Sequence, residues 1–386
     1  MRDAIRHLPA SRIREVANAG IGRDDVLAFW FGESDEVTSD AVREAATQSL
    51  ARGETFYSHN LGLAELREAL AAYTSALHRP VGIDRIAVTS SGVSALMLAT
   101  QMLSGQGDEV VAVVPVWPNL TAQPAIMGAN VRRVSLVPPS SNQGAWTIDL
   151  QALLGAVTPA TRMLLVNAPN NPTGWTLTRA EQQAILEHCR GTGTWIVADE
   201  VYERLWFGNG PTAPSFLDIA EPDDRLIVVH SFSKSFLMTG WRLGWMVLPD
   251  GHLDAIGKLI EFNTSCAPVF VQRAGLAGVQ SAEATVPALA RRMHACRDTL
   301  IDGLQRLPNV QVARPNGGMY AFFRVPGLSD DSLAFAKHLV AEHGLGLAPG
   351  VAFGDEAQGW LRWCFASRDP SRLTEGLARL EQALRL

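Results

Sequence analysis

Six short apolar runs between residues 85 and 249 constrain this chain more than anything else in it. They read RIAVTS (85–90), EVVAVVPV (109–116), RMLLVNAP (162–169), TWIVAD (194–199), RLIVVHS (225–231) and LGWMVLP (243–249). Near-continuous β-branched runs of this length suit strands buried on both faces, the mark of a mostly parallel sheet sheathed by helices. Between them lie amphipathic patterns such as LAELREALAAYTSAL (63–77) and TRAEQQAILEHCR (178–190). The expected architecture is α/β, and the crossover rule favours a doubly wound sheet. After about residue 280 the texture changes to one long helical stretch (282–306), short strands around VQVARP, MYAFFRV and LRWCFAS, and a closing helix. This predicts a large unit over 39–280, a smaller α+β unit over 281–386, and an N-terminal segment, 1–38, packing with the smaller unit.

Composition narrows the function classes. A net charge of −6 argues against nucleic acid or an anionic membrane as the main partner. No apolar run approaches the ~18 residues of a membrane span, and the opening MRDAIRHLPASRIREV carries no apolar core of a signal peptide. The cysteines Cys189, Cys266, Cys296 and Cys364 are scattered without CxxC spacing and read as reduced thiols. A soluble, cytoplasmic protein is expected. No HExxH pattern supports a metal centre, and no GxGxxG follows a strand. Of the 33 basic residues only Lys234, Lys258 and Lys337 are lysines, so lysine-dependent chemistry has few candidates.

In an open parallel sheet, ligands bind outside the carboxyl ends of the strands. Here those ends carry Ser90-Ser91-Gly92, Trp117-Pro118-Asn119, Asn170-Asn171-Pro172-Thr173-Gly174, Asp199 with Tyr202, and Ser231-Phe232-Ser233-Lys234. Singly, each has a plain structural reading: an N-cap, a core indole, a turn, a helix cap. Together they match pyridoxal 5'-phosphate (PLP). A small-residue turn entering a helix suits its phosphate, with Ser231 and Arg242 completing the cup. Trp117 offers a platform for the ring, Asp199 a carboxylate for the pyridine nitrogen, and Asn171 and Tyr202 donors for the ring oxygen. The aldehyde needs an amine, and only Lys234 of the three lysines stands at a strand end.

These residues resemble fold-type I PLP-dependent enzymes, specifically the class I/II aminotransferases that include aspartate and aromatic aminotransferases. YSHNLGLAELREAL (57–70) is similar to that family's Tyr-x4-Gly-[Ile/Leu]-x-Glu-Leu-Arg segment. SSGVSAL, PVWPN, NNPTG, DEVY, SFSKSFLMTGWRLG, NGGMYAFF and GWLRWCFAS follow in family order, so the resemblance runs nearly end to end. It implies the PLP-dependent transferase fold and transamination of an L-α-amino acid and a 2-oxo acid by a ping-pong mechanism. Lys234 would hold the cofactor as a Schiff base and shuttle the proton. Asp199 would pair with the ring nitrogen, Tyr202 and Asn171 with the ring oxygen, and Trp117 would stack on the ring. Ser91, Gly92, Val93, Ser231 and Arg242 would hold the phosphate, joined by Tyr57 from a second subunit of a homodimer. Arg362 would take the substrate α-carboxylate as a bidentate pair, which lysine could not copy, and the Gly32 backbone would approach the same group.

Two departures bear on substrate. Some family members that favour dicarboxylates carry a basic residue where this chain has Val93, and Asn263-Thr264-Ser265 are uncharged too. With Trp30 and Phe31 leading into the site, a neutral or aromatic donor is expected over aspartate, with an acceptor such as 2-oxoglutarate. Carbon–sulfur β-lyases and aminocyclopropane-carboxylate synthases share nearly the same lysine, aspartate and arginine and stay open as alternatives. Ser231-x-x-Lys234 also matches the penicillin-recognising acyl enzymes, but their Ser-Asp-Asn and Lys-Thr-Gly partners are missing. A transcription regulator built on this fold would need a DNA-binding extension, and no basic segment offers one.

Overall fold

The structure is a computed structural model describing residues 1–141 and 144–385. Its strands are β1 (Leu27–Ala28), β2 (Ile86–Thr89), β3 (Glu109–Val114), β4 (Asn130–Ser135), β5 (Thr161–Asn167), β6 (Trp195–Asp199), β7 (Leu226–Ser231), β8 (Gly244–Val247), β9 (Gln311–Val312), β10 (Tyr320–Arg324), β11 (Leu345–Gly346), β12 (Ala348–Pro349) and β13 (Trp360–Cys364). Seven of them form one sheet in the order β2-β8-β7-β6-β5-β3-β4. Within it β8 runs antiparallel to both neighbours, β2 and β7, and every other pair is parallel. All six apolar runs become strands. The seventh, β4, was not expected: it is an edge strand reading NVRRVS, with only Val134 buried.

Burial on both faces is what the apolar runs encode. Alternate side chains of one strand enter different cores: Val110, Ala112 and Val114 on one side, Val111 and Val113 on the other. The first core is roofed by the helices Gly92–Leu103 and Leu253–Glu261 through Leu96, Leu98, Ile256 and Ile260. The second packs under Leu66 and Leu70 of the helix Ala64–Leu77 and Ile185 and Leu186 of the helix Arg179–Thr192. A strand with no solvated face must be apolar throughout, which is why no polar alternation marks it.

The helix Ala282–Arg306 leads away from this sheet to a smaller antiparallel one, β12-β13-β10-β9. The N-terminal residues join that region: β1 pairs in parallel with β11, Leu27 opposite Leu345. The Phe29 carbonyl accepts from Cys364 N–H at 3.2 Å. No helix among the described residues is long and apolar enough to cross a membrane.

Candidate active site

The carboxyl ends of β2, β3, β5, β6 and β7 open on a cavity of about 580 Å3, which the smaller sheet closes with Tyr320 and Arg362. Gly32, Gly92, Val93, Trp117, Asn171, Asp199, Tyr202, Ser231, Lys234, Arg242 and Arg362 all line it. Ser91 stands just behind, as the cap of the helix Gly92–Leu103. Tyr57 does not reach the cavity of its own chain: it is 89% exposed.

The turn after β2 is shaped for an anion. Ser91 takes φ 144° and ψ 164°, a region nearly reserved for glycine. Its Oγ accepts from Ser94 N–H at 3.0 Å, and its carbonyl accepts from Thr89 Oγ at 2.9 Å. The first N–H groups of the helix have no partner inside it and carry its positive dipole end. Packing fixes this turn against the neighbouring strand. A side chain on Gly244 of β8 would put its Cβ 2.5 Å from Gly92 N and 2.6 Å from Ser91 C. Nearby, Ser231 Oγ accepts from Ser233 N–H at 3.2 Å, and Arg242 Nη1 lies 3.4 Å from Ser233 Oγ. Arg242 itself adopts φ 54°, held by donating to the Thr239 carbonyl.

Lys234 Nζ donates to the Gly32 carbonyl at 2.7 Å and lies 5.5 Å from the centre of the Tyr202 ring. Burial lowers its pKa to about 8, and the Arg362 cation pushes in the same direction. Asp199 ends β6, 2% exposed, and burial raises its carboxyl to about 7. The one hydrogen bond its carboxylate makes among the described residues comes from Val201 N–H at 3.4 Å. A buried carboxylate with so little support is stable as an anion only opposite a cation.

Asn167, at the end of β5, ties these strand ends together: its Nδ2 donates to the Asp199 carbonyl at 3.0 Å and its Oδ1 accepts from Asn171 N–H at 2.7 Å. Asn171 Oδ1 in turn accepts from Arg362 Nη1 at 3.0 Å. Arg362 is 2% exposed, stacked 4.5 Å from the Tyr320 ring centre and 4.9 Å from Phe353, and it also donates to the Trp30 carbonyl. The Tyr202 and Tyr320 hydroxyls bond to each other at 2.7 Å, and burial raises both phenols well above their ordinary pKa. A Cβ on Gly32 would fall 2.0 Å from Tyr320 Oη, so any larger residue there would force the Tyr320 hydroxyl to move.

Behind Asp199 and Tyr202 the same turn buries Glu200 and Glu203. His78 bridges Glu203 Oε2 at 2.9 Å and Asp218 Oδ1 at 2.7 Å. These bonds hold His78 protonated up to a pKa of about 10, despite a burial that opposes the charge. Burial, with the neighbouring Glu203 charge, lifts Glu200 to about 8. His230 Nδ1 stands 3.5 Å from Glu203. The protonated His78 already supplies the cation that Glu203 needs.

Several lining residues were not anticipated: Asn167, Thr239 and Tyr320, and from the N-terminal segment Ile13, Arg14 and Glu33. Trp30, which with Phe31 leads into the site, buries its indole against Gly20 and Gly346, and only its carbonyl serves Arg362. Phe31 does line the cavity. The residues fit PLP: an anion cup, an indole, an amine of lowered pKa, and a buried carboxylate short of a cation.

The family described as Aminotransferase class I and II matches residues 25–380. An aspartate aminotransferase of Thermotoga maritima is 31% identical over 385 residues, covering 98% of each chain. An aromatic-amino-acid aminotransferase of Thermococcus litoralis is 27% identical over 390 residues, covering 100% of this chain and 98% of that one. A solved structure of a Thermus thermophilus aspartate aminotransferase mutant superposes with a TM-score of 0.89 at 28% identity, covering 99% of each chain. With a matched family spanning nearly the whole chain and relatives aligned end to end, this protein belongs to the class I and II aminotransferases and is a transaminase.

Proposed function

We propose that this transaminase carries PLP on Lys234 and moves the amino group of a neutral or aromatic L-α-amino acid to a 2-oxo acid such as 2-oxoglutarate. The observation that carries the reading is the pairing of Lys234 with Asp199 in one cavity: an amine lowered to about 8 and a buried carboxylate raised to about 7. When bound, the cofactor supplies an electron-poor ring that makes the proton on the substrate α-carbon acidic. Lys234 Nζ would accept and return a proton there, and its lowered pKa would leave a useful fraction neutral near pH 8. Asp199 would hold the ring nitrogen protonated, and the cation opposite would restore its own charge. Tyr202 and Asn171 donate to the ring oxygen, and Trp117 covers the ring. Ser91, Gly92, Val93, Ser231 and Arg242 hold the phosphate. Arg362 exchanges part of its contact with Asn171 for the substrate α-carboxylate, beside the Gly32 backbone.

The donor preference is supported by the uncharged Val93 and by Ile13 and Phe31 on the cavity wall. A homodimer in which Tyr57 completes the neighbouring phosphate cup belongs to the same reading. Phe56, Tyr57 and Phe262 are 83%, 89% and 89% exposed, and rings this bare support a surface for another subunit to cover. The unit boundaries 1–38, 39–280 and 281–386 and a cytoplasmic location complete it, the latter supported by four free cysteines.

The test is an absorbance scan of purified, PLP-loaded protein before and after single amino acids. A transaminase converts its chromophore with an amino acid alone and releases a 2-oxo acid. A β-lyase would release product and return to the starting spectrum, overturning the reading. Lys234→Ala should lose the borohydride-fixed cofactor, and a fixed adduct surviving in that variant would refute the lysine assignment.

A further inference from the structure

Among the described residues, the Tyr202 and Tyr320 hydroxyls have no hydrogen-bonding partner but each other, at 2.7 Å. Both rings are buried, and they meet edge to face, 5.6 Å apart at 79°. Tyr320 arrives on β10 of the smaller sheet, whereas Tyr202 follows β6 of the larger one. The charged or titratable groups around the pair are Lys234, Asp199, Arg362 and Cys364. None of them accepts from Tyr320. Lys234 donates to the Gly32 carbonyl, Cys364 Sγ faces the Glu33 carbonyl, and Arg362 lies as a cation 4.5 Å over the Tyr320 ring. The one hydrogen bond to the Asp199 carboxylate comes from Val201 N–H.

Each phenol carries a single hydrogen. Within the pair one hydroxyl donates and the other accepts, and either order satisfies the geometry. An acceptor placed beside Tyr202 decides between them. Tyr202 can give its one hydrogen outward only by accepting from Tyr320, and Tyr320 has no other acceptor to turn to. Burial raises both phenols, so both keep their hydrogens across the working pH range. Hydroxyls aligned in this way polarise one another, which makes the outer one a stronger donor than a lone phenol. Asn171 needs no such support, since its amide has two hydrogens to give while its oxygen serves Arg362.

We propose that Tyr320 is a positioning residue: its hydroxyl donates to Tyr202 and thereby aims the single Tyr202 hydrogen at the ring oxygen of the cofactor. This rests on the proposed cofactor at Lys234. It gives the smaller sheet a hold on the cofactor's electronics through one hydroxyl, separate from the hold that Arg362 gives it on a carboxylate.

The experiment is a double-mutant cycle on PLP-loaded protein: wild type, Tyr320→Phe, Tyr202→Phe and the double variant. It reads the pH midpoint at which the absorbance of the bound cofactor changes. Charge left on the ring oxygen favours the protonated form of the Lys234–cofactor link, and a donor that draws it off favours the neutral form. Tyr320→Phe should therefore raise the midpoint by about half a pH unit or more, the scale of one net hydrogen bond. In the Tyr202→Phe background the same substitution should move it far less. Tyr320→Phe keeps the ring beneath Arg362, so binding of 3-phenylpropionate, an unreactive carboxylate, should hold. A midpoint that stays put, or that moves equally in both backgrounds, overturns the relay, and so does a parallel fall in 3-phenylpropionate affinity. If Tyr320→Phe strands the Tyr202 hydroxyl and loads cofactor poorly, the double variant should load again, and failure of both overturns it too. Borohydride fixation is scored separately in wild type. No fixed cofactor sinks the proposed chemistry at Lys234, whereas fixed cofactor with an unmoved midpoint sinks only the Tyr320 assignment.

Discussion

Replacing Asp199 by Asn should make the cofactor-free protein more stable at pH 8 and the loaded enzyme far slower. The carboxyl sits 2% exposed, and burial lifts its pKa from 3.8 to about 7. A rise of about three, at 1.36 kcal/mol each, means the empty site stores up to about 4 kcal/mol of unfavourable charge once Asp199 ionises. The folded-state pKa lies above the unfolded one. The group therefore adds no penalty below pH ~4, and stability is lost as pH rises through about 7. Asparagine keeps the shape and removes that slope. Urea unfolding of cofactor-free wild type and Asp199→Asn at pH 5 and pH 8 measures it. The variant should lose less stability between the two, by a few kcal/mol. Glu200, raised to about 8 by burial, contributes a slope common to both proteins, so the difference isolates Asp199. With cofactor bound, the same energy acts in reverse: the ring nitrogen loses its counter-charge, and kcat/KM should fall by about a thousand-fold. Parallel pH slopes in the two cofactor-free proteins would refute the buried-charge argument, and near-normal turnover in Asp199→Asn would refute its pairing with the ring nitrogen.

Three further outcomes are expected. In cofactor-free protein, an amine-selective reagent at pH 8 should label Lys234 ahead of its share of access, because burial lowers its pKa to about 8; peptide mapping against cofactor-blocked protein reads this out. Gly244→Ala drives a methyl into Gly92 N and Ser91 C, an overpacking of about 1–3 kcal/mol, so PLP affinity measured by fluorescence titration should drop about ten-fold or more with the fold retained. His78→Leu strips Glu203 of its cation and should cost about 3–5 kcal/mol at pH 6.5 by urea unfolding. Because the folded pKa of His78, about 10, exceeds the unfolded 6.5, wild type should lose that advantage as pH rises from 6.5 to 10, and the variant should not.

The central strands and the polar residues gathered at their ends were legible because two-sided burial leaves only apolar residues inside a strand, so each polar group at its end stands out. β4 escaped detection for the complementary reason: an edge strand tolerates Arg132 and Arg133, and its pattern matches neither template. Tyr320 lay in plain view within NGGMYAFF, yet nothing local says that its hydroxyl meets Tyr202, since 118 residues separate them. The His78–Glu203–Asp218 bridge was illegible for the same reason. Gly244 carried a signal that went unused, a glycine opening an apolar strand, where backbone must approach backbone. The N-terminal contribution of Ile13 and Arg14 depends on β1 joining β11, a two-residue pairing too short to leave a periodic trace.

The antiparallel strand β8 has a mechanical consequence. Ser231 and Gly244 stand opposite each other in the β7–β8 register, so the loop 232–243 bearing Lys234 and Arg242 is pinned at both ends to adjacent strands. Gly244 also abuts the Ser91–Gly92 turn. Lys234 and the Ser91–Gly92 turn are therefore mounted on one framework of paired strands. Arg362, Tyr320, Ile13 and Arg14 are mounted on the other side, with the smaller sheet and the N-terminal helix. Any displacement between the two halves resizes the cavity between them, and leaves the spacing between Lys234 and the Ser91–Gly92 turn untouched.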